Sequence, residues 1–172
     1  MFELMLLRHA KSDWHNHTAD INRPLNQRGI DDAVRLGCYL NKIKRVPDRM
    51  VVSVAERAQQ TAECVLMNLP MAEENFVVDK ELYLADRATL IETIELYAVE
   101  GQRLLILAHN PGMDDIVSYL ASERPSLTVT GKLMTTCTLA SFRIDSLEAL
   151  KKPGKCELQH LIRPADTADA CG

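Results

Sequence analysis

Arg8 and His9 stand side by side at the end of an apolar run, Leu4 to Leu7. Ser53 closes a second such run and Arg57 follows it by four residues; a third run, from Leu104, stops at His109, with Asn110 and Pro111 next. The chemistry open to these types together is narrow. Guanidinium groups bind phosphate or carboxylate oxygens through paired donors, and a neutral histidine is a nucleophile or a proton carrier. In open α/β sheets, ligands bind beyond the carboxyl ends of strands, where helix starts offer free N–H groups. Two arginines and two histidines at three run ends therefore point to one oxyanion site, with phosphate the best fit. Each residue alone has a plainer reading, a surface arginine or a hydrogen-bonded loop histidine, but coincidence at three run ends is harder to explain that way. His15, His17 and Asp20 lie in a polar stretch without regular ligand spacing, so no metal is expected there. Asp114 and Asp115 suit the start of a helix, where negative charge meets the dipole.

Such residues need elements to hold them. Apolar runs of strand length (2–7, 50–54, 76–79, 104–108, 136–144 and 156–162) alternate with helical patterns, which indicates α/β layering. The first run is apolar almost throughout and reads as a central strand covered on both faces. A helix is expected from near Asn26, with Ala33, Leu36, Leu40 and Ile43 on one stripe. A second is expected with Ser53 as N-cap and Glu56 completing a capping box. A third covers about 89–98. A fourth starts at Asn110 as N-cap with Pro111 at the first helical position. Pro153 and Gly154 mark a turn into a last strand, so the fifth and sixth strands can be neighbours.

The chain has 172 residues, 47% hydrophobic and 26% charged, the length and balance of one folded domain. That domain is expected over 1–163, with a short-chained polar tail, 164–172, that frays. No apolar run approaches the roughly 18 residues that span a bilayer, so no membrane association is expected. The first residues carry Glu3 and no basic group before Arg8, which is unlike a secretion signal and leads to a cytoplasmic expectation. Twenty basic against 24 acidic residues, a formal charge of −4, argue against nucleic acid as a partner. The five cysteines, at 38, 64, 137, 156 and 171, form no C-x-x-C pair and read as reduced thiols.

Four segments resemble one family. Leu7-Arg8-His9-Ala10-Lys11-Ser12 resembles the R-H-G/A signature of the histidine phosphatase superfamily, and Ser53 through Ala62 is similar to its S-x-x-x-R-A-x-Q-T-A segment. Leu107-Ala108-His109-Asn110-Pro111-Gly112 resembles the second-histidine motif of the SixA-like phosphohistidine phosphatases, and Asp20 through Gly29 resembles that branch's D-x-D-R-P-L-x-x-R-G stretch, with Asn22 where aspartate is usual. The resemblance implies a three-layer α/β/α fold of phosphoglycerate mutase type, with a mostly parallel sheet of about six strands.

It also implies that His9 is the nucleophile of a covalent phosphohistidine intermediate, with Arg8, Arg57 and His109 completing the catalytic set. Arg8, Ser12, Arg57, His109 and Asn110 would hold the substrate, without cofactor or metal. Relatives that hydrolyse esters carry a proton-donating carboxylate after the third strand, where Glu81 and Asp86 are the two candidates here. A weak acid signal suits phosphohistidine, whose imidazole leaving group has a conjugate-acid pKa of about 6.5. Only about 20 residues lie between Leu82 and Leu104, too few for a helix and a large lid. The implied substrate is a phosphorylated protein, such as a histidine-phosphotransfer domain. The alternatives are a small-molecule phosphomonoesterase and a phosphate-reading module without turnover.

Overall fold

The computed structural model describes residues 1–15 and 17–172. Six strands, β1 (Phe2–Arg8), β2 (Arg49–Ser53), β3 (Phe76–Asp79), β4 (Arg103–Ala108), β5 (Leu139–Ile144) and β6 (Glu157–Ile162), form one sheet in the order β3-β2-β4-β1-β5-β6. The first four run parallel; β5 pairs antiparallel with β1 at that edge, and β6 pairs antiparallel with β5, so β5 alone runs against the rest. This is the mixed α/β sheet that the alternating pattern predicts.

The two-residue period of β1 divides the core. Leu4 and Leu6 pack on one face with Leu90 and Ile94 of α3 (Arg87–Tyr97) and Met113, Ile116 and Leu120 of α4 (Gly112–Leu120). Met5 and Leu7 pack on the other with Ala33, Leu36 and Leu40 of α1 (Gln27–Lys42) and Ala58, Ala62 and Val65 of α2 (Glu56–Leu66). All four β1 side chains are essentially inaccessible, as a strand covered on both faces requires.

Helix starts differ from the sequence expectation where a side chain has another task. Asn26 caps α1 as expected, accepting from the Gly29 N–H at 2.9 Å. Ser53 does not cap α2: the N-cap is Ala55, Ser53 Oγ takes the Ala55 N–H at 3.3 Å, and Glu56 accepts instead from Gln60. At α4 the N-cap is Pro111 rather than Asn110, whose side-chain oxygen nonetheless accepts from the Asp114 N–H at 3.1 Å. The third helix starts two residues earlier than expected because Asp86 caps it, accepting from the Thr89 N–H.

The cysteine and tail expectations are overturned. Cys38 on α1 forms a disulfide with Cys171 across 133 residues of chain, Thr167 is buried, and the Arg163 guanidinium donates to the carbonyls of Ser126 and Leu133. The segment beyond β6 thus folds back on the domain. Sequence spacing cannot reveal a pairing over that separation. Cys64, Cys137 and Cys156 are free thiols.

Gly29, in the first turns of α1, holds the loop after β1 against the helix. A Cβ at this position would overlap the backbone carbonyl of Lys11, which also accepts from the Asn26 N–H at 3.0 Å. Alanine ordinarily improves a helix interior by roughly 0.5–1 kcal/mol over glycine, but overpacking against backbone costs about 1–3 kcal/mol and decides the sign here. Gly29→Ala is therefore expected to lower Tm by about 2–10 °C, read from a thermal melt. An unchanged or raised Tm would show that Lys11 is free to move away.

Candidate active site

The parallel register of β1 and β4 sets Arg8 opposite Ala108, so His9 and His109 leave the sheet from adjacent strand ends. Their rings lie 5.2 Å apart between centroids. On the other side of β4, Val52 of β2 faces Leu107, which brings Ser53 to His109; Ser53 Oγ lies 2.7 Å from His109 Nε2. Arg57, in the first turn of α2, reaches the same place and is only 2% exposed. Thr61 fixes the helix to the strand end: its hydroxyl donates to the Arg57 carbonyl at 2.6 Å and accepts from the Ala10 N–H at 3.0 Å. Cys137, in the left-handed backbone region at φ 58°, directs its N–H to the carbonyls of Arg8 and His9 and anchors the segment before β5.

Arg8, His9, Ser12, Arg57, His109 and Asn110 all line one cavity of about 370 Å³. A cavity of about 410 Å³ at the opposite ends of the strands, against Glu3, Asp48 and Arg103, has no histidine.

The His9 tautomer follows from its neighbours. Nδ1 is 2.8 Å from the Ala10 carbonyl, which can only accept, so Nδ1 carries the proton and Nε2 keeps its lone pair. The Arg57 Nε–H points at that nitrogen from 3.4 Å. Burial, then the charges of His109, Arg57 and Arg8, push the His9 pKa down to about 3, against the opposing Ala10 hydrogen bond. His109 is likewise lowered to about 3, by burial first and Arg57 second, and its Nδ1 is buried without a partner among the described residues. Burial also lowers Arg8, whose Nη1 donates to the Met134 carbonyl at 2.8 Å while Nε has no partner among the described residues.

Neither Glu81 nor Asp86 lines the cavity. Glu81 is exposed on a 3-10 turn, and Asp86 is the α3 cap, held below the usual carboxylate range by the Thr89 N–H, the wrong direction for a proton donor. Among the described lining residues the carboxylate is Asp20. It accepts from the Tyr83 hydroxyl at 2.6 Å, Arg23 at 2.8 Å and Arg57 at 3.1 Å. These bonds, Tyr83 first, hold Asp20 well below the usual range, so it stays ionised. Arg23 also donates to Ser12 and stacks on Trp14, 3.7 Å from the ring centroid. Sequence reasoning gave Asp20, Arg23, Tyr83 and Trp14 no role in the site; for Asp20 and Arg23 the signal stood in the 20–29 stretch. Among the described residues no cluster of histidine, cysteine and carboxylate groups suits a metal, and no helix is long and apolar enough to cross a membrane.

The family model of the histidine phosphatase superfamily, branch 1, matches residues 4–83, the segment that holds Arg8, His9, Asp20 and Arg57. The chain belongs to the histidine phosphatase superfamily. Membership supports a phosphatase activity. An uncharacterised protein of Mycobacterium tuberculosis is 33% identical over 116 residues, 67% of this chain and 70% of its own. Among solved structures, the protein histidine phosphatase SixA complexed with tungstate superposes with a TM-score of 0.77 at 24% identity, over 95% of this chain and 98% of that one. A structure from Agrobacterium tumefaciens, provisionally identified as SixA, gives 0.75 at 23% identity, over 94% and 98%. These likenesses establish the phosphoglycerate mutase-like fold in this member of the superfamily.

Two buried neutral histidines make stability depend on pH. Unfolded, each takes up a proton below about 6.5, whereas folded each stays neutral to about 3. Stability is therefore full above 6.5 and lost as pH falls toward 3, with a slope of up to about 1.4 kcal/mol per pH unit for each histidine. Denaturant unfolding between pH 6.5 and 4 should show a shallower slope for His9→Ala than for wild type. Equal slopes would mean that His9 titrates normally in the fold.

Proposed function

We propose that the protein hydrolyses phosphohistidine carried on a protein, through a covalent intermediate on His9. The observation that carries this reading is the want of a protonated carboxyl group among the described lining residues: the carboxylate there, Asp20, is held ionised, and the Tyr83 hydroxyl is committed to it. An alkoxide leaves slowly without protonation, while imidazole leaves readily. In the first step His9 Nε2 attacks phosphorus and the P–N bond to the substrate imidazole breaks. The electron pair stays on the departing nitrogen, and the substrate ring, protonated beforehand on its other nitrogen, leaves as neutral imidazole. In the second step water attacks the phosphorus on His9, that P–N bond breaks, and inorganic phosphate leaves with His9 neutral again.

Arg8 and Arg57 stabilise the oxygens as charge redistributes, and Ser12, His109 and Asn110 complete the oxyanion pocket in this reading. The unpartnered Arg8 Nε and His109 Nδ1 support a ligand that supplies acceptors and a shared proton. The tungstate in the SixA relative supports an oxyanion in the corresponding fold. A histidine-phosphotransfer domain is the class of carrier that the reading favours.

Phosphohistidine is expected to turn over at least about 100-fold faster than an alkyl phosphate, a gap of the size general acid catalysis supplies. Comparable rates that collapse on the ester alone in Asp20→Asn would make Asp20 a proton donor and the protein an ester phosphatase. His9→Ala should lose on the order of 10³-fold or more and form no acid-labile, base-stable phosphoenzyme; trapping such a species on another residue would remove His9 as nucleophile. Arg57→Lys should cost about 10–100-fold in kcat/KM, since a point charge cannot replace paired donors to oxygen. A value near that of wild type would take Arg57 out of the oxyanion pocket.

A further inference from the structure

The floor of the cavity is charged, but two of its outer residues are large, apolar and in contact with water. Trp14, the one tryptophan in the chain, is 70% exposed, and Leu84 is 56% exposed; both line the cavity that contains His9. Each is held in place. The Arg23 guanidinium covers one side of the Trp14 ring, and Arg23 is itself buried and bonded to Asp20 and Ser12. Leu84 sits in the left-handed backbone region at φ 52°, a conformation that glycine or asparagine adopts far more readily than leucine. It follows directly on Tyr83, whose hydroxyl is bonded to Asp20. Strain that displays an apolar side chain to water at a cavity mouth contributes nothing to the core and points to a ligand surface.

We propose that Trp14 and Leu84 are specificity-determining residues, and that they seat a flat aromatic leaving group, the imidazole of a phosphohistidine side chain, above the phosphoryl pocket. The proposal rests on the reading of function above and adds the part of the site that recognises what carries the phosphoryl group. Stacking on the free side of an indole favours a planar ring over an ammonia or alkyl leaving group. The same contact removes two exposed apolar side chains from water.

Phosphohistidine and phosphoramidate share the P–N bond and the attack by His9, but phosphoramidate releases ammonia and has no ring. Trp14→Ala is expected to lower the kcat/KM ratio of phosphohistidine to phosphoramidate about tenfold, chiefly through KM, with Trp14→Phe recovering most of it. Leu84→Gly should lower the same ratio without lowering Tm, because glycine relieves the left-handed backbone. Emission from Trp14 in the His9→Ala variant should respond to phosphohistidine and not to inorganic phosphate. Equal losses on both substrates in Trp14→Ala, with the ratio intact, would reduce Trp14 to a support for Arg23 and overturn the proposal. If wild type hydrolyses neither P–N compound, the phosphohistidine reading falls. Emission titrated with phenyl phosphate against inorganic phosphate then decides the ring contact separately, an equal response to both overturning it.

Discussion

Buried guanidinium charge needs an anion beside it, and much of the site follows from that constraint. Arg57 and Arg23 are nearly inaccessible to water, and Arg8 enters the same cavity. Removing such charges from water is costly unless an opposite charge and hydrogen bonds meet them. Asp20 meets them here, bonded to Arg23 through one oxygen and to Arg57 through the other. To reach that position the segment after β1 folds back over the strand ends. It is fixed by the pairing of Ser12 with Leu25, by the Asp13 N–H donating to Pro24, and by the Asn26 N–H donating to Lys11. The close approach of Gly29 to that segment belongs to the same requirement.

The guanidinium charge gathered at the strand ends also favours neutral histidines. Burial is the larger cause at both His9 and His109, and neighbouring guanidinium charge acts in the same direction. A histidine with a free Nε2 at neutral pH is thus a consequence of where β1 and β4 end, requiring no base to deprotonate it. Asp20 opposes this slightly at His109 while holding the arginines. Its ionised state in turn removes it as a proton donor, which is the property on which the proposed phosphohistidine reading rests.

The fold keeps this arrangement rigid from below. Parallel pairing of β1 with β4 and of β4 with β2 sets His9 and Ser53 about one strand spacing to either side of His109. Two apolar layers, one under α1 and α2 and one under α3 and α4, hold the sheet that carries them.

The amino-acid sequence alone determined the elements whose pattern is local. The apolar run of β1, the stripe of α1 and its Asn26 cap read directly from residue order, because strand alternation and helix periodicity are properties of consecutive residues. So did the gathering of Arg8, His9, Arg57 and His109, since each follows an apolar run and open parallel sheets present such ends together. What depends on distant residues was out of reach. Ser53 and Asn110 read as helix caps until the strand pairing gave Ser53 a histidine partner and the turn at Pro111 moved the α4 start. Cys171 reads as a free thiol on a loose tail, and only the return of the chain past α1 gives it Cys38. Asp20 looks like one more polar loop residue beside two histidines. Its role appears when the loop is folded, because an ion pair is decided by distance in space, and here Asp20 and Arg57 are separated by 37 positions in sequence but 3.1 Å in the structure.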